Sequence, residues 1–235
     1  MNIIAFDTAS DIFAAGLSVA TEKVGEKRYF LTIDGGQKHS ELIMEAAETL
    51  LKLAGIGKTD LHMAACMEGP GSFTGLRIGF AAVKGLSFAL GIPFISVPTL
   101  DCMTSLYFKW PGIVIPLLDA KKNAFFAAIY KNGKRMSDYL DIKIEELIEK
   151  IMGIYSLESP PPLLILSGPA SPLAFNDILK AFPSAVLDSS HKRGYAAELL
   201  NIAAEKGILD HNRSLVSSGP EYVRKSDAEL GGIMD

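Results

Sequence analysis

The amino-acid sequence predicts an α/β protein made of two similar lobes. Short apolar runs typical of buried strands alternate with longer runs whose apolar residues recur at helical spacing. The order of these runs restarts once within the 235 residues, and in both copies the first strand ends in an aspartate, Asp7 or Asp119. We therefore expect an internal duplication, with an N-terminal lobe at residues 1–110 and a C-terminal lobe, including a C-terminal tail, at residues 111–235.

The N-terminal lobe is predicted to begin with three strands, the first two joined by the polar turn at residues 8–11. A helix follows, because Leu42, Ile43 and Ala46 begin a series of apolar residues at helical spacing. A buried strand, a second helix, another strand and a short helix complete the lobe. The predicted strands are 2–6, 13–19, 27–33, 62–67 and 93–97, and the predicted helices are 40–54, 75–90 and 99–107.

The same order restarts after Trp110-Pro111-Gly112, which marks the start of the C-terminal lobe. Asn132-Gly133 is typical of a two-residue hairpin turn between two strands of this lobe. The proline-rich segment 159–162 is predicted to be a rigid surface connection. The predicted strands are 113–118, 124–130, 134–140, 163–166 and 185–187, and the predicted helices are 144–151, 172–181 and 195–206.

Composition excludes several classes of protein. A net charge of −4 argues against a chain that binds nucleic acid by itself, since such domains are usually basic. Cys66 and Cys102 lie in apolar surroundings without C-x-x-C spacing, which indicates two buried, reduced thiols. No basic segment precedes Asp7, so no signal peptide is expected, and the apolar segment 78–90 is interrupted by Lys84 and too short to cross a bilayer. We expect a soluble, cytoplasmic protein that contacts no membrane.

The most specific segment is the glycine-rich stretch between residues 68 and 79. It follows one apolar run and opens a second, which predicts a strand, a tight turn and a helix N-terminus, a geometry that can hold an anion. Leu76 stands where a phosphate-binding P-loop would have its lysine, so a tight turn without a ligand is the alternative. The residues of this structural turn are Gly69, Pro70, Gly71, Ser72, Thr74 and Gly75.

The string Gly69-Pro-Gly-Ser-Phe-Thr-Gly-Leu-Arg-Ile-Gly79 resembles the signature of the bacterial TsaB (YeaZ-like) family of tRNA threonylcarbamoyladenosine biosynthesis proteins. Further segments are similar to this family along the chain. They are Ile4-Ala-Phe-Asp-Thr-Ala-Ser10, His39-Ser-Glu-Leu42, Leu118-Asp-Ala-Lys-Lys122 and Gly219-Pro-Glu-Tyr-Val-Arg224. The resemblance is weakest between residues 153 and 193. It implies the duplicated fold of the actin-like, sugar-kinase and Hsp70 ATPase superfamily, which is ribonuclease H-like.

The resemblance also implies a function. The chain is expected to be a non-catalytic partner that binds and supports TsaD, together with the ATPase TsaE. TsaD transfers a threonylcarbamoyl group to N6 of adenosine 37 in tRNAs that read ANN codons. The chain alone is expected to form a homodimer and to need no cofactor. It is expected to reach tRNA only through the complex, in which ATP or ADP would be bound. The alternatives are a stand-alone ATP-dependent phosphotransferase or carbamoyltransferase of the same fold, and a peptidase.

The active-site parts of this superfamily are incomplete in the sequence. Asp7, Thr8 and Ser10 provide an acid and hydroxyls but no glycine, which predicts a vestigial nucleotide loop or a turn stabilised by these side chains. Asp119-Ala-Lys-Lys122 is a poorer copy. TsaD carries a metal-binding H-x-x-x-H, and here the second position is Ile43, so His39 is expected to be a polar residue at a helix start and no metal is expected. No serine triad is expected, because Ser72 lacks the G-x-S-x-G elbow.

The predicted helix 75–90 supplies the interaction hypothesis. It is apolar on nearly all sides, so nearly all sides must be covered. A core stripe consists of Leu76, Gly79, Val83, Leu86 and Leu90, and a face of small residues consists of Ile78, Ala82, Gly85 and Ala89. The helix 40–54 is one cover within the chain, and a partner is the other. We expect the helices 40–54 and 75–90 to form the association surface together, with a subunit interface that consists of Arg77, Phe80, Ala81, Lys84, Gly85 and Phe88.

Overall fold

Each of two units is built around its own sheet. The computed structural model describes residues 1–21, 25–36, 38–156, 161–209, 219, 220 and 223. The first unit comprises Met1–Cys102 with Lys192–Pro220, and the second comprises Met103–His191 with Glu221–Asp235. Of the predicted segment 159–162, residues 159 and 160 lie outside the described part. Pro161 is exposed and Pro162 is buried.

The helices and strands follow the predicted order. The strands are β1 (Ile3–Asp7), β2 (Ile12–Thr21), β3 (Gly25–Asp34), β4 (Met63–Gly69), β5 (Phe94–Pro98), β6 (Ile113–Asp119), β7 (Phe125–Ala127), β8 (Tyr130–Lys131), β9 (Lys134–Arg135), β10 (Leu140–Ile142), β11 (Leu164–Ser167) and β12 (Ala185–Leu187). The α-helices are α1 (His39–Ala54), α2 (Phe73–Leu90), α3 (Thr99–Thr104), α4 (Ile144–Tyr155), α5 (Ser171–Ala181) and α6 (Ala196–Leu209). Two short 3₁₀ helices are Lys58–Asp60 and Ser105–Tyr107.

The first sheet has the order β3-β2-β1-β4-β5. β1 pairs antiparallel with β2 and parallel with β4, so it lies at the centre and is buried along its whole length. Because neighbouring strand residues point to opposite faces, Ile4 and Phe6 pack in a core with α1 and α2. The other face lies against α6, where a Cβ atom on Gly16 would come within 2.9 Å of Leu200.

The second sheet repeats this plan around β6. Its order is β10-β7-β6-β11-β12, and β8 pairs with β6 and β9. β6 pairs antiparallel with β7 and parallel with β11, as β1 does with β2 and β4. Helices α4 and α5 cover the core of this sheet, which includes Leu147 and Ile178. The predicted α/β fold of two similar lobes is confirmed.

A Gly-Pro-x-Ser turn follows equivalent strands in the two units. Gly69-Pro70-Gly71-Ser72 joins β4 to α2, and Gly168-Pro169-Ala170-Ser171 joins β11 to α5. Gly69 and Gly168 have positive φ angles of 120° and 90°, which favour glycine at both positions. This repeat is a local trace of the duplication that the order of elements predicts.

The structure differs from the predicted lobes in two respects. Residues 192–209 belong to the first unit instead of to the C-terminal lobe, because α6 packs on β1 and β2. The predicted strands 124–130 and 134–140 are four short strands. They are broken because β7 pairs with Leu117–Asp119 of β6, whereas β8 pairs with Ile113 and Val114 at the other end.

Among the described residues, α2 is the one helix whose length and composition would suffice to cross a membrane. The expectation that this segment is too short rested on residues 78–90, and the helix has 18 residues. Core helices of folded domains share this length and composition. One side of α2, with Leu76 and Val83 fully buried, packs on β4 and α1 in the first unit.

Candidate functional site

The glycine turn between β4 and α2 is fixed by hydrogen bonds to neighbouring loops. Ser72 caps α2, since its Oγ accepts from the Gly75 N–H at 3.2 Å. The Ser72 N–H donates to the Ala9 carbonyl at 2.7 Å, and the Gly69 N–H donates to Thr99 Oγ1 at 3.2 Å. The predicted turn and cap are therefore present, and the turn packs on the β1–β2 loop.

Three glycines of this segment allow the close approach of that loop. A Cβ atom on Gly75 would overlap the Thr8 carbonyl oxygen, and one on Gly71 would come within 2.5 Å of the Ala9 carbonyl oxygen. A Cβ atom on Gly79 would lie 2.6 Å from Thr8 Oγ1. The space that these glycines leave is thus occupied by the chain's own β1–β2 loop. The glycines are therefore required by packing within the chain, because a side chain at any of the three positions would displace this loop.

Asp7 joins the β1–β2 loop to the start of α6. One carboxylate oxygen accepts from the Ala9 N–H at 3.1 Å, and the other accepts from the Tyr195 N–H at 2.9 Å. Tyr195 directly precedes α6, so the carboxylate lies at the positive end of this helix. Burial raises the pKa of Asp7, although the two backbone donors and His39 oppose the rise.

The hydroxyl groups of Thr8 and Ser10 in the β1–β2 loop differ in burial and in hydrogen bonding. Thr8 is buried, and among the described residues its Oγ1 has no hydrogen-bond partner. Ser10 is half-buried, and its Oγ accepts from the Ile12 N–H at 3.2 Å. Ser10 and Asp7 thus accept hydrogen bonds from backbone N–H groups of the turn itself, and the vestigial nucleotide loop stays a prediction.

Asp119, the equivalent aspartate of the second unit, has a different environment. It is exposed, and its carboxylate accepts from the Lys121 N–H and from Lys121 Nζ, both at 2.7 Å. Partial burial opposes a lower pKa, but the bonds from Lys121 outweigh it and lower the pKa of Asp119. The aspartates of the two loops therefore differ in burial and in the direction in which the pKa is shifted.

His39 begins α1 and is buried. Its Nε2 donates to the Ser10 carbonyl at 2.7 Å, and its ring lies 5.9 Å from that of Phe13. Ile43, at the position of a second metal ligand, is buried in the apolar core of the first unit. Within the described ranges, no three His, Cys, Asp or Glu side chains are grouped as metal ligands. His39 thus has the place at a helix start that the sequence predicts.

Sequence reasoning missed Tyr195 and Glu198, which lie near Asp7 in the first unit. Glu198 is buried on α6, and burial raises its pKa. The hydrogen bond from the Tyr195 N–H to Asp7 joins residues 188 positions apart, so no local sequence pattern predicts it. The one available signal is the acid itself, which lies in a segment from Tyr195 to Ala204 where Asn201 is the other strongly polar residue.

Leu76, Gly79 and Val83 of the predicted core stripe of α2 are buried, whereas Leu86 and Leu90 are half-buried. Phe80 is 3% exposed and packs edge-to-face on Phe94, with ring centroids 6.4 Å apart. This corrects its predicted outward position: Phe80 lies one helical turn from Leu76 and shares its side of the helix. Phe88, by contrast, is 94% exposed.

An outward stripe runs along α2, formed by Arg77, Ala81, Gly85 and Phe88. All four residues are exposed, and a Cβ atom on Gly85 would meet nothing within 4 Å. The Arg77 guanidinium lies 3.8 Å over the Phe73 ring. Lys84 is half-buried, with Nζ 5.9 Å from the centre of the Phe80 ring. Five of the six predicted interface residues are thus at least partly exposed.

Comparison with known proteins identifies the family. Residues 32–228 match a family model described as "TsaD: tRNA N6-adenosine threonylcarbamoyltransferase". The tRNA threonylcarbamoyladenosine biosynthesis protein TsaB of Bacillus subtilis is 27% identical over 99% of this chain and 98% of its own length. TsaB of Escherichia coli is 29% identical, over 57% of each protein.

Solved structures support the fold. The structure titled "YeaZ from Pseudomonas aeruginosa" superposes with a TM-score of 0.71 at 20% identity and covers 94% of this chain and 99% of its own. A second solved structure, described as an uncharacterized protein with similarity to peptidase YEAZ from Pseudomonas aeruginosa, reaches a TM-score of 0.75 at 20% identity, over 95% of this chain and 99% of its own. Since the family model spans most of the chain, the protein belongs to the tRNA N6-adenosine threonylcarbamoyltransferase (TsaD) family, as a TsaB/YeaZ-like member.

Proposed function

We propose that the protein is a non-catalytic subunit in the biosynthesis of N6-threonylcarbamoyladenosine at position 37 of tRNA. In this role it binds and supports TsaD, together with the ATPase TsaE. Membership of the family and the names of the TsaB relatives support the pathway. We expect the protein to act in the cytoplasm, together with tRNA and these partners.

The observation that carries the proposal is the outward stripe of α2. Phe88 exposes nearly its whole ring, next to Gly85 and Ala81, whose small size lets another helix approach closely. An aromatic side chain beside small residues, with a cation at the edge, is typical of the centre of a protein interface. We expect TsaD to bind this stripe, and a second copy of the chain to bind it when TsaD is absent.

The non-catalytic role is supported by how the polar groups of the first unit are used. Asp7 accepts two backbone N–H groups, and His39 donates to a backbone carbonyl. The glycine turn is filled by Thr8 and Ala9. These groups serve the fold of the first unit, so we expect the isolated chain to transfer no threonylcarbamoyl group, to cleave no peptide and to need no nucleotide.

Mixing experiments test the proposal. The purified chain is combined with TsaD of the same organism, and the mass of the product is measured by light scattering. Threonylcarbamoylation of a tRNA transcript is then assayed with TsaD and TsaE, with and without the chain. We expect one heteromeric species and a modification rate that depends on the chain. Turnover by the chain alone, abolished by Asp7→Ala in a folded protein, would favour the stand-alone ATP-dependent enzyme instead.

A further inference from the structure

A basic and aromatic surface lies on the second unit, and the proposed function makes no use of its residues. It is formed by the hairpin of β8 and β9 and by the segment that precedes β6. We call it the hairpin patch, and its residues are Phe108, Lys109, Lys131, Lys134, Arg135 and Tyr139. The patch contains four cations, and Asp138 is the one acid within the segments 107–112 and 130–139, although the whole chain has a net charge of −4.

The two segments of the hairpin patch are packed against each other. Asn132 and Gly133 have positive φ angles of 50° and 74°, as a tight two-residue hairpin turn requires. The Asn132 N–H donates to the Gly112 carbonyl at 3.1 Å. A Cβ atom on Gly133 would lie 3.0 Å from the Phe108 ring, so the ring rests on the turn. Phe108 and the basic hairpin therefore form one surface.

The side chains of this surface remain accessible. Phe108 is 67% exposed although it contacts Gly133, and Lys109, Lys134 and Arg135 are exposed. The Arg135 guanidinium lies 4.1 Å over the Tyr139 ring. This stacking holds the guanidinium plane in place beside the hairpin. The hairpin and the adjoining segment thus carry exposed cations and an exposed aromatic ring close together in the second unit.

We propose that the hairpin patch binds RNA directly. Lys109, Lys134 and Arg135 neutralise backbone phosphates, and an unpaired base stacks on Phe108. Cations supply the sequence-independent part of nucleic-acid affinity. Exposed aromatic rings are platforms on which proteins stack unpaired RNA bases. An acidic protein segment would use the same cations but offers no planar base for the ring.

The choice of RNA among polyanions rests on the proposed function in tRNA modification. Within that function, the inference changes the expected route to tRNA. The chain would contact tRNA itself, instead of reaching it only through TsaD. The net negative charge of the whole chain is compatible with this, because charge acts over about 8 Å at physiological ionic strength and the patch is locally basic.

Fluorescence anisotropy with the full chain tests the inference. The probe is a labelled transcript of a tRNA with adenosine at position 37, titrated over a range of salt concentrations. Lys134→Glu with Arg135→Glu should weaken binding by at least about tenfold and lower the salt slope by about 2, because each substitution removes one cation from a phosphate. Lys143→Glu with Lys150→Glu makes the same change of charge on exposed lysines of the same unit and should have a much smaller effect.

Variants of Phe108 separate stacking from charge. Phe108→Ala should weaken binding about tenfold without changing the salt slope, since the base loses its stacking platform while every phosphate keeps its cation. Phe108→Tyr keeps the ring and should bind as the unaltered chain does. Thermal unfolding by circular dichroism establishes that each variant is folded.

Three results would overturn the inference. They are the absence of transcript binding by the unaltered chain, an equal loss of affinity in the hairpin and control double variants, and tighter binding of a labelled polyglutamate peptide than of the transcript. The last would identify an acidic protein partner. Failure of the proposed function has a different signature: the chain would form no complex with TsaD, while the hairpin variants would still lower transcript binding.

Discussion

At the scale of single residues, Asp7 stabilises the fold of the first unit. Its carboxylate accepts from Ala9 in its own turn and from Tyr195 at the start of α6. The side chain therefore joins two parts of the chain that are distant in sequence. Gly71, Gly75 and Gly79 complete this arrangement, because their missing side chains give room to Thr8 and Ala9.

Removal of the Asp7 carboxylate should destabilise the first unit. Asp7→Ala leaves the N–H groups of Ala9 and Tyr195 without an acceptor in a buried place, and we expect a loss of about 2 kcal/mol or more in the free energy of unfolding. Urea denaturation measures it. The control is Asp11→Ala, which removes an exposed acid of the same turn and should change the free energy by no more than about 0.5 kcal/mol. Equal effects of the two variants would contradict the assigned role.

Glu198 gives a prediction about pH. Burial raises its pKa in the folded protein, so the folded state binds the proton more tightly than the unfolded state does. The stability that this difference contributes is present below the unfolded pKa of about 4.5 and is lost as the pH rises through the folded pKa. Glu198→Gln does not titrate. The stability of this variant relative to the unaltered chain should therefore increase as the pH rises through the folded pKa of Glu198. Urea denaturation at several pH values would measure this difference. A difference that does not depend on pH would contradict the prediction.

At the scale of elements, α2 combines a core side with an outward side. Leu76 and Val83 were predicted on the core side, and they are fully buried. The predicted outward position of Phe80 was wrong: the helical period places it one turn after Leu76, on the core side, where its ring packs on Phe94. Phe80→Asp is consequently a core substitution and should unfold the first unit, whereas Phe88 remains a surface residue.

Two glycines of α2 provide a matched pair. Gly75→Ala would place a Cβ atom onto the Thr8 carbonyl oxygen, which belongs to the backbone and cannot easily move. It should lower the free energy of unfolding by about 3 kcal/mol or prevent folding. Gly85→Ala adds a methyl group in open space and should stabilise the isolated chain by about 0.5–1 kcal/mol, because alanine favours the helix. Thermal or urea unfolding at low protein concentration measures both. Equal destabilisation by both would show that the close contact at Gly75 does not matter.

At the scale of the whole molecule, the sequence predicts much of the architecture. The duplicated order of strands and helices follows from local periodicity, and the aspartate that ends the first strand of each copy marks equivalent positions. The position of α6 could not be predicted in this way. Its apolar residues indicate a helix but not which sheet it covers, and the bond from Tyr195 to Asp7 has no local signal.

The same distinction holds for the candidate site. The glycine turn, the Ser72 cap and the exposed Phe88 follow from local pattern and residue type. The hairpin patch could not be predicted from local pattern. Phe108 and Lys134 are far apart in the sequence, and they share a surface only because Gly133 packs on the Phe108 ring.

The central claim is that the outward stripe of α2 binds TsaD, and the affinity of Phe88→Asp for TsaD tests it most directly. The control is Leu173→Asp, which changes a 68% exposed apolar residue on α5 of the second unit. With both variants folded, Phe88→Asp should lose about 2 kcal/mol or more of binding free energy, at least about thirtyfold in Kd, because a charge replaces the central ring. Leu173→Asp should bind as the unaltered chain does. An unchanged Kd for folded Phe88→Asp would contradict the account.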